Sequence, residues 1–359
     1  MFPRTSAPTT AQLGMNSIVD WTNWSFPHVA SQVRRVVPLS KTTLMLVFAN
    51  AQCVIVDTAK PATVCQANLS STLFNTERVF ASADNNQLIA FNEMTLEFYE
   101  LLDNFLDLRG TIPQGTIRHD GVSVFIIDVC VAAGVIAFAS NSGSVFFFDF
   151  KTLVFLNSQR ITITPIARVF VNSAHTLLVV IDTSGVFVAS DISPTTYAKV
   201  RHRVEVVLSD KIGPVNPTAI TIVETKSGCL LIANGRVLQY TEESHGDLVV
   251  YPTTDAVTAT LQNGFIYAAS PSHLTIFPDL IETPLTTLRL CTPSLAHGVT
   301  IHNDSIYLLT PSSVFVAALP VPRPRPSLAV RKNLGLTFKQ TRLSDQTVVA
   351  LALARTREV

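Results

Sequence analysis

Charged residues are scarce in this sequence. They make up 14% of its 359 residues, whereas an ordinary soluble domain has about 25%. The 26 basic residues balance the 26 acidic ones, so the formal net charge is zero. This balance excludes the strong overall attraction that basic proteins have for nucleic acids and anionic membranes. Because 47% of the residues are hydrophobic, we expect much of the chain to be buried.

Cysteine is also infrequent and irregularly spaced. The five cysteines form no CxxC pair and lie in or beside apolar runs: Cys53, Cys65, Cys130, Cys229 and Cys291. This pattern argues against a zinc site or a disulfide framework and predicts buried, reduced thiols. The first 21 residues lack the continuous apolar core of a secretory signal. We therefore expect a cytoplasmic or nuclear location.

Long uninterrupted apolar runs are rare. Residues 123–140 approach the length of a membrane-spanning helix. However, they contain Asp128 near the middle, Gly134 and many β-branched side chains. This composition predicts two buried strands joined at Ala133-Gly134, and we expect no membrane span.

Catalytic motifs are missing. The sequence has no glycine-rich phosphate loop, no GxSxG and no HExxH. His245 and Asp247 fit a polar turn better than a catalytic pair. His297 and His302 are five residues apart on a predicted strand, so their side chains point to opposite faces and do not share a metal. We therefore expect no catalytic site, no metal and no cofactor.

What the sequence does contain is a repeated hairpin. Residues 139–153, ASNSGSVFFFDFKTL, consist of an apolar strand, a polar turn at Ser142-Gly143 and a second apolar strand. Six further copies follow the same pattern, at residues 45–58, 79–93, 177–191, 230–242, 266–279 and 306–319. We mark each copy by the apolar residue after its turn: Val54, Leu88, Val145, Val186, Val237, Leu274 and Val314.

The spacing of these markers predicts the architecture. Successive gaps are 34, 57, 41, 51, 37 and 40 residues, close on average to the roughly 40–45 residues of a four-stranded propeller blade. We predict an all-β chain whose residues 28–319 form a single seven-bladed β-propeller. Two predicted strands within residues 334–359 complete the seventh blade or close the ring. An eight-bladed ring, with its last blade incomplete and finished by the N-terminal segment, stays open as an alternative.

The hairpin at residues 139–153 resembles the central hairpin of a WD-repeat blade. The family's turn, aromatic residue, Asp and Thr are matched here by Ser142-Gly143, Phe148, Asp149 and Thr152. Both tryptophans of the chain precede the first blade, so no repeat carries the Trp of the family's signature dipeptide. The resemblance covers roughly residues 30–320 and implies a divergent WD-repeat-like propeller.

Candidate partner-binding residues lie outside the regular repeat. Residues 1–27 are predicted to form a mobile arm whose aromatic cluster, Trp21, Trp24 and Phe26, either caps the propeller or inserts into a partner. Residues 101–121 are predicted as a short amphipathic helix or as an outer strand with a surface loop. This insertion contributes Phe105 and Arg109 as possible contacts.

Basic residues form a second group of candidates. The stretch KVRHRVEV, residues 199–206, alternates so that Lys199, Arg201 and Arg203 share one face. Such a ladder binds an acidic partner or RNA phosphates, or it protects a sheet edge. From residue 323 onward the chain has eight basic and two acidic residues. Within it, a Pro/Arg-rich linker at residues 320–333 supplies Arg323, Arg325, Arg331 and Lys332.

We therefore expect a non-enzymatic protein–protein interaction scaffold, a WD-repeat-like subunit of a larger intracellular assembly. One alternative is an RNA-associated propeller that uses the basic tail and strand 199–205. Another is an enzyme or ligand binder that uses the central channel, where Asp128 is the one acidic candidate.

Overall fold

The computed structural model describes residues 4–5, 17–18, 21–25, 31–39, 42–58, 62–68, 79–81, 87–91, 95–102, 105–119, 121–242, 247–292, 295–311 and 313–322. The chain divides into two units, Met1–Ala318 and Leu319–Val359. All of the strands described below belong to the first unit. The predictions for Phe26, for the tail from Arg323 onward and for residues 334–359 lie outside the described residues.

Seven antiparallel sheets lie in a ring and form a seven-bladed β-propeller, as predicted. The eight-bladed alternative is therefore wrong. In each blade we letter the strands a to d from the centre outward. Blade 1 comprises Val33–Pro38, Thr43–Phe48, Gln52–Asp57 and Ala62–Asn68. Blade 2 comprises Val79–Ala81, Gln87–Phe91, Thr95–Leu102 and Phe105–Pro113.

The next three blades follow in order. Blade 3 comprises Ile126–Ala132, Val135–Ser140, Ser144–Asp149 and Phe155–Arg160. Blade 4 comprises Ile166–Val171, Leu177–Asp182, Val186–Ile192 and Lys199–Val207. Blade 5 comprises Thr221–Thr225, Gly228–Ala233, Arg236–Thr241 and Val249–Tyr251. A two-stranded ribbon, Arg118–His119 with Val122–Ser123, precedes blade 3, and a short helix, Ser209–Ile212, and a 3₁₀ turn, Pro217–Ala219, precede blade 5.

Segments from the start of the chain extend the last two blades. Blade 6 comprises Thr258–Gln262, Phe265–Ala269, His273–Pro278 and Thr286–Leu290, with Ser17–Ile18 added in parallel. Blade 7 comprises Gly298–His302, Ser305–Leu309 and Val314–Ala318, then Thr22–Ser25 and Arg4–Thr5.

The ring is closed by this N-terminal pairing. Thr22–Ser25 is antiparallel to the c strand of blade 7, with Trp24 opposite Val314. Strand d of this blade comes from the N-terminal segment, whereas the sequence predicts that strands within residues 334–359 complete this blade or close the ring. His297 adds a contact from blade 7 to blade 1, because its Nε2 lies 3.0 Å from the carbonyl oxygen of Val33. Blades formed at opposite ends of the sequence are therefore joined directly.

Apolar runs form these strands because neighbouring blades bury both of their faces. Every residue of the b strands of blades 3, 4 and 5 is buried. Buried clusters cross from one blade to the next; in one of them Phe138 and Phe146 of blade 3 pack with Ile89 of blade 2. Full burial of such a side chain contributes roughly 1.5–3 kcal/mol. No blade buries both faces alone, so the closed ring stabilises each of them.

Two local predictions can be compared with these elements. Residues 126–140 form two strands joined by Ala133 and Gly134, whose φ angles are 42° and 87°, as predicted. No described helix is long and apolar enough to cross a membrane. In the 101–121 insertion, residues 105–113 are the outer strand of blade 2. The outer-strand prediction is thus confirmed and the helical alternative is wrong.

Candidate interaction surfaces

Antiparallel connection of four strands divides the turns of each blade between two rims. The b–c turns and the d–a connections to the next blade lie at one rim, and the a–b and c–d turns lie at the other. Hydrogen bonds within the second rim show this arrangement. The Phe150 amide donates to the Gly134 carbonyl at 2.9 Å in blade 3, and the Asp279 amide donates to the Gly264 carbonyl at 2.9 Å in blade 6.

In four successive blades a side chain of the b–c turn, or of the strand residue that adjoins it, contacts the preceding d–a connection. Asn141 Oδ1 accepts a hydrogen bond from the Phe125 amide at 3.2 Å. The equivalent contacts of blades 4 and 5 join Asp182 to Thr164 and Asn234 to Pro214. In blade 6 His273 Nε2 lies 3.1 Å from Asp255 Oδ1. These contacts fix the shape of the first rim, because each connection is bound to the turn above it.

A large part of the first rim is nearly free of charge. We define the uncharged rim as residues 141–143, 161–165, 183–185, 234–235, 252–257, 270–272, 291–292, 295–297, 310–311 and 313. Among its described residues Asp255 is the one Lys, Arg, Asp or Glu, and this carboxylate contacts His273. Two further d–a connections at this rim, residues 114–125 and 208–220, lie outside the definition and carry Arg118, Asp210 and Lys211. Lys211 Nζ lies 3.7 Å from Asp247 Oδ1. The rest of the rim is mainly Ser, Thr, Asn, Pro and Gly.

The opposite rim differs sharply in charge. The described a–b and c–d turns of blades 3 to 7 carry seven charged residues: Lys151, Lys226, Glu242, Asp247, Asp279, Glu282 and Asp304. We call this the charged rim. Sequence composition alone gave a zero net charge and did not separate these two surfaces.

Three large apolar side chains project from the uncharged rim. Ile163 is 89% exposed, Leu295 is 90% exposed and Val257 is 52% exposed. Single exposed apolar residues are common on soluble proteins. Here, however, they lie in three different connections of a surface on which Asp255 is the one charged residue described, and the cores of protein interfaces are depleted of charged residues in the same way.

Ser272, His273 and Asp255 form a hydrogen-bonded relay that the sequence did not predict. Ser272 Oγ lies 2.9 Å from His273 Nδ1, and Ser270 Oγ lies 3.2 Å from the same nitrogen. These three residue types also make up hydrolase triads. In this protein the His273–Asp255 contact joins the b–c hairpin to the preceding connection, as Asn141, Asp182 and Asn234 do in blades 3, 4 and 5, but from the first residue of strand c. The relay is therefore the blade 6 member of a structural series.

Asp128, the acidic candidate for the central channel, joins three blades. It is fully buried, and its Oδ2 accepts a hydrogen bond from the Val169 amide at 2.8 Å. Its Oδ1 lies 3.6 Å from Arg168 Nη1, and Arg168 Nε donates to the Ile220 carbonyl at 2.8 Å. This carboxylate thus links blade 3 to blade 4 and, through Arg168, to the start of blade 5.

The basic ladder predicted on residues 199–206 does not share one face. Asp191 pairs with Arg201 and Ile192 pairs with Lys199, with one register shift between these two pairs and another between Ala189 and Ser190. These bulges place Arg201 and Lys199 on opposite faces. Arg203 forms ion pairs with Asp191 and, at 3.3 Å, with Glu242 of blade 5, and these partners raise its pKa against the effect of burial. Arg203 therefore joins two blades.

The other candidate residues fall into two groups. Trp21 and Trp24 are buried, and the Trp24 ring contacts Tyr307 edge-on with 5.7 Å between centroids. They pack on the propeller, in agreement with the capping alternative. Phe105 is 53% exposed, and Arg109 forms ion pairs with Glu100 and, at 3.2 Å, with Asp107. Phe105 is thus accessible to a partner. The charge of Arg109 is compensated by acidic residues on strands c and d of the same blade.

Comparison with known proteins supports the fold. No family model matches the sequence, and no curated protein matches it. A structural match is BamB from Moraxella catarrhalis, with a TM-score of 0.52 and 11% sequence identity. The aligned region covers 88% of this chain and 99% of that chain. Such a match shows a shared propeller fold, and a fold used by many proteins does not determine function.

Proposed function

We propose that this chain is a non-enzymatic scaffold that binds another protein through its uncharged rim, within a larger assembly. The observation that carries this proposal is the absence of charge from that rim, apart from Asp255, together with the exposure of Ile163 and Leu295. Covering a charged surface has a desolvation cost unless each charge finds a partner. The uncharged rim can be covered by another protein without this cost.

The type of partner follows from the same chemistry. RNA binding depends on cations that contact phosphates. The described residues of the uncharged rim include no Lys or Arg, and the two adjoining connections add one each, Arg118 and Lys211. A protein surface with apolar and neutral hydrogen-bonding groups fits Ser, Thr and Asn side chains around Ile163 and Leu295. Asp128 supports a non-enzymatic role, since its carboxylate is buried against Arg168.

The divergent WD-repeat-like identity is part of the proposal. It is supported by blade 3, where Asp149 Oδ1 accepts hydrogen bonds from the Thr152 amide and the Thr152 hydroxyl, each at 2.7 Å. These contacts lower the pKa of Asp149, with the Thr152 hydroxyl as the largest cause. We also propose a cytoplasmic or nuclear location, which the buried free thiols of Cys53, Cys130 and Cys229 support.

Paired substitutions on the two rims test this function. Ile163→Asp combined with Leu295→Asp places two charges on the uncharged rim, and both positions are exposed enough for the fold to be retained. Leu280→Asp combined with Ile281→Asp is the matched control on the charged rim, where these side chains are 50% and 52% exposed. Each tagged variant is purified from native extract, and copurified proteins are quantified by mass spectrometry.

We expect the wild type and the charged-rim control to recover the same protein in constant stoichiometry. The uncharged-rim variant should lose that protein by about tenfold or more, which corresponds to about 1.4 kcal/mol. Recovery of the chain alone in all cases, or equal recovery by both variants, would contradict the proposal.

A further inference from the structure

The outer strand of blade 3 is an open apolar edge. Among the described residues, Phe155–Arg160 pairs on one side with Ser144–Asp149 and has no strand on its other side. Four consecutive large apolar side chains are exposed here: Leu153 (43%), Val154 (57%), Phe155 (51%) and Leu156 (39%). We call residues 153–160 the blade 3 edge. An open strand of this kind presents backbone N–H and C=O groups to another chain. One of them, the Ser158 amide, donates to Asn157 Oδ1 at 2.8 Å, and an added strand replaces this contact.

The outer strands of blades 2, 4 and 5 carry features that discourage such pairing, whereas Ala62–Asn68 of blade 1 shares with the blade 3 edge the absence of charge and proline. Strand d of blade 2 contains Asp107, Arg109 and Pro113. Strand d of blade 4 contains four charged side chains and two register shifts, and strand d of blade 5 has three residues. In contrast, residues 155–159 contain neither a charge nor a proline. A register shift at Leu156 leaves this side chain exposed beside Phe155.

Blade edges of this propeller already accept short added strands. Ser17–Ile18 lies parallel to Arg289–Leu290 on the outer edge of blade 6. Arg4–Thr5 pairs with Trp24–Ser25 on the outer edge of blade 7. In both cases two residues are enough to form a bridge. The geometry needed to add a strand to an outer edge is therefore present in the fold.

The positive charge around the blade 3 edge favours the binding of an acidic segment. Residues 150–165 contain Lys151 and Arg160 and no acidic residue. Lys199 is exposed two positions after Tyr197, whose carbonyl accepts a hydrogen bond from Gln159 Nε2 at 2.7 Å. Within the described part of the chain, these three cations form no ion pair. The nearby Asp149 carboxylate accepts hydrogen bonds from the backbone amides of Lys151 and Thr152 in the adjoining turn.

The same charges argue against two other occupants. A second copy of this chain, paired through the same edge, would bring the basic residues Lys151 and Arg160 of one copy near those of the other, which is repulsive. Residues 323–359 carry eight basic and two acidic residues, so they also have the wrong charge. We propose that the blade 3 edge binds an extended segment of a partner protein, apolar at alternate positions and flanked by Asp or Glu, as an added β-strand. This inference rests on the proposed scaffold function and names a second contact surface for it.

Defined peptides test the added strand on the purified full chain, without any extract. The probe is a fluorescein-labelled peptide of five alternating valines and threonines with two aspartates at each end. One control peptide has an N-methyl group on the central valine, which removes a backbone donor. Another has lysine in place of every aspartate. Binding is measured by fluorescence polarisation, and hydrogen exchange of residues 155–160 is measured with and without the probe.

Charge reversal on the protein completes the test. The double variant Lys151→Glu and Arg160→Glu should bind the aspartate peptide about tenfold more weakly and should gain affinity for the lysine peptide. The double variant Lys226→Glu and Arg236→Glu has the same charge change on blade 5, where both side chains are exposed, and should behave as the wild type. The N-methyl peptide should not bind, and the probe should slow exchange in residues 155–160.

Three outcomes would contradict the proposal of an added strand. They are no binding of the aspartate peptide, equal binding of its N-methyl form, or equal affinity of the aspartate peptide for the two charge-reversed double variants. Because the rim variants Ile163→Asp and Leu295→Asp are not used, this failure is distinct from failure of the scaffold proposal. Loss of protein partners on changing the uncharged rim, without peptide binding at blade 3, would leave the scaffold proposal in place.

Discussion

Asp128 of blade 3 and Arg168 of blade 4 face each other inside the ring, with 3.6 Å between Oδ1 and Nη1. Their side chains are 0% and 11% exposed. Removing one member of a buried pair leaves the other charge without compensation. Because Arg168 also reaches the Ile220 carbonyl, the pair connects three consecutive blades.

Asp128→Ala should therefore lower the free energy of unfolding by about 3–5 kcal/mol. Guanidinium denaturation followed by tryptophan fluorescence measures this change. The double variant Asp128→Leu and Arg168→Met should recover most of the loss, since no buried charge remains. Asp304→Ala, at an exposed turn of blade 7, is the control and should have little effect. Equal stability of Asp128→Ala and Asp304→Ala would show that the pair is not structural.

Trp24 is the largest buried side chain on the strand that closes the ring, and it is 4% exposed. Trp24→Ala should destabilise the propeller by about 3–5 kcal/mol, because the change leaves a cavity against Tyr307 and Val314. Thr22→Ala on the same strand is exposed and should change stability by less than about 0.5 kcal/mol. Thermal unfolding by circular dichroism compares the two. Similar melting temperatures would argue against closure by residues 22–25.

Glycines of the b–c turns should tolerate substitution less well than a glycine of the charged rim. Gly143, Gly235 and Gly134 all have positive φ angles, of 78°, 73° and 87°. A Cβ at Gly143 would overlap the Thr162 carbonyl oxygen, and one at Gly235 would overlap the Thr254 carbonyl oxygen, whereas one at Gly134 has free space.

Gly134→Ala should therefore cost about 1 kcal/mol, from the backbone angle alone. Gly143→Ala and Gly235→Ala should cost at least about 2 kcal/mol, because the d–a connection must also move. Denaturant midpoints of the three variants give the ranking. If Gly134→Ala proved as costly as the other two, the close contact of turn and connection at the uncharged rim would be wrong.

Buried tyrosines predict a loss of stability at high pH. Burial raises the pKa of Tyr307 to about 12 and also raises the pKa of Tyr251 above its ordinary value. The neutral form is thus favoured in the folded state, and this stabilisation is complete below the unfolded pKa of about 10. It is lost as the pH rises from about 10 through about 12, since the unfolded chain releases its protons first.

Absorbance of tyrosinate at high pH measures this effect. The folded protein should ionise several tyrosines only at a higher pH than the same chain in guanidinium. The free energy of unfolding should fall over the same range. Identical titration curves in the folded and unfolded states would contradict the burial of Tyr251 and Tyr307.

Blade number could be predicted from the sequence, but strand assignment could not be predicted at every blade. The marker Leu88 lies on strand b of blade 2, and the equivalent c-strand residue is Leu96. With Leu96 the first two gaps become 42 and 49 residues, closer to the mean than 34 and 57. The a–b and b–c hairpins of blade 2 are both apolar strands around polar turns, so local hydrophobicity does not distinguish them.

Pairing between distant residues was beyond local sequence patterns. Trp24 pairs with Val314 across nearly the whole chain, and no periodicity in either segment indicates this partner. The prediction that Lys199, Arg201 and Arg203 share one face, made from strict alternation in residues 199–206, was also wrong. The register shifts beside Arg201 depend on the neighbouring strand. The sequence shows that each turn and connection of the uncharged rim has few or no charged residues. Only the ring topology shows that these turns share one surface.

The most direct test of the scaffold role is hydrogen exchange of this chain alone and within its native assembly. We predict slower exchange in the assembly for residues 141–143, 161–165, 252–257 and 295–297 of the uncharged rim. The turns that contain Lys226, Asp279 and Asp304 on the charged rim should exchange equally in both states. Protection confined to the charged rim, or identical exchange throughout the chain, would contradict the proposed docking surface.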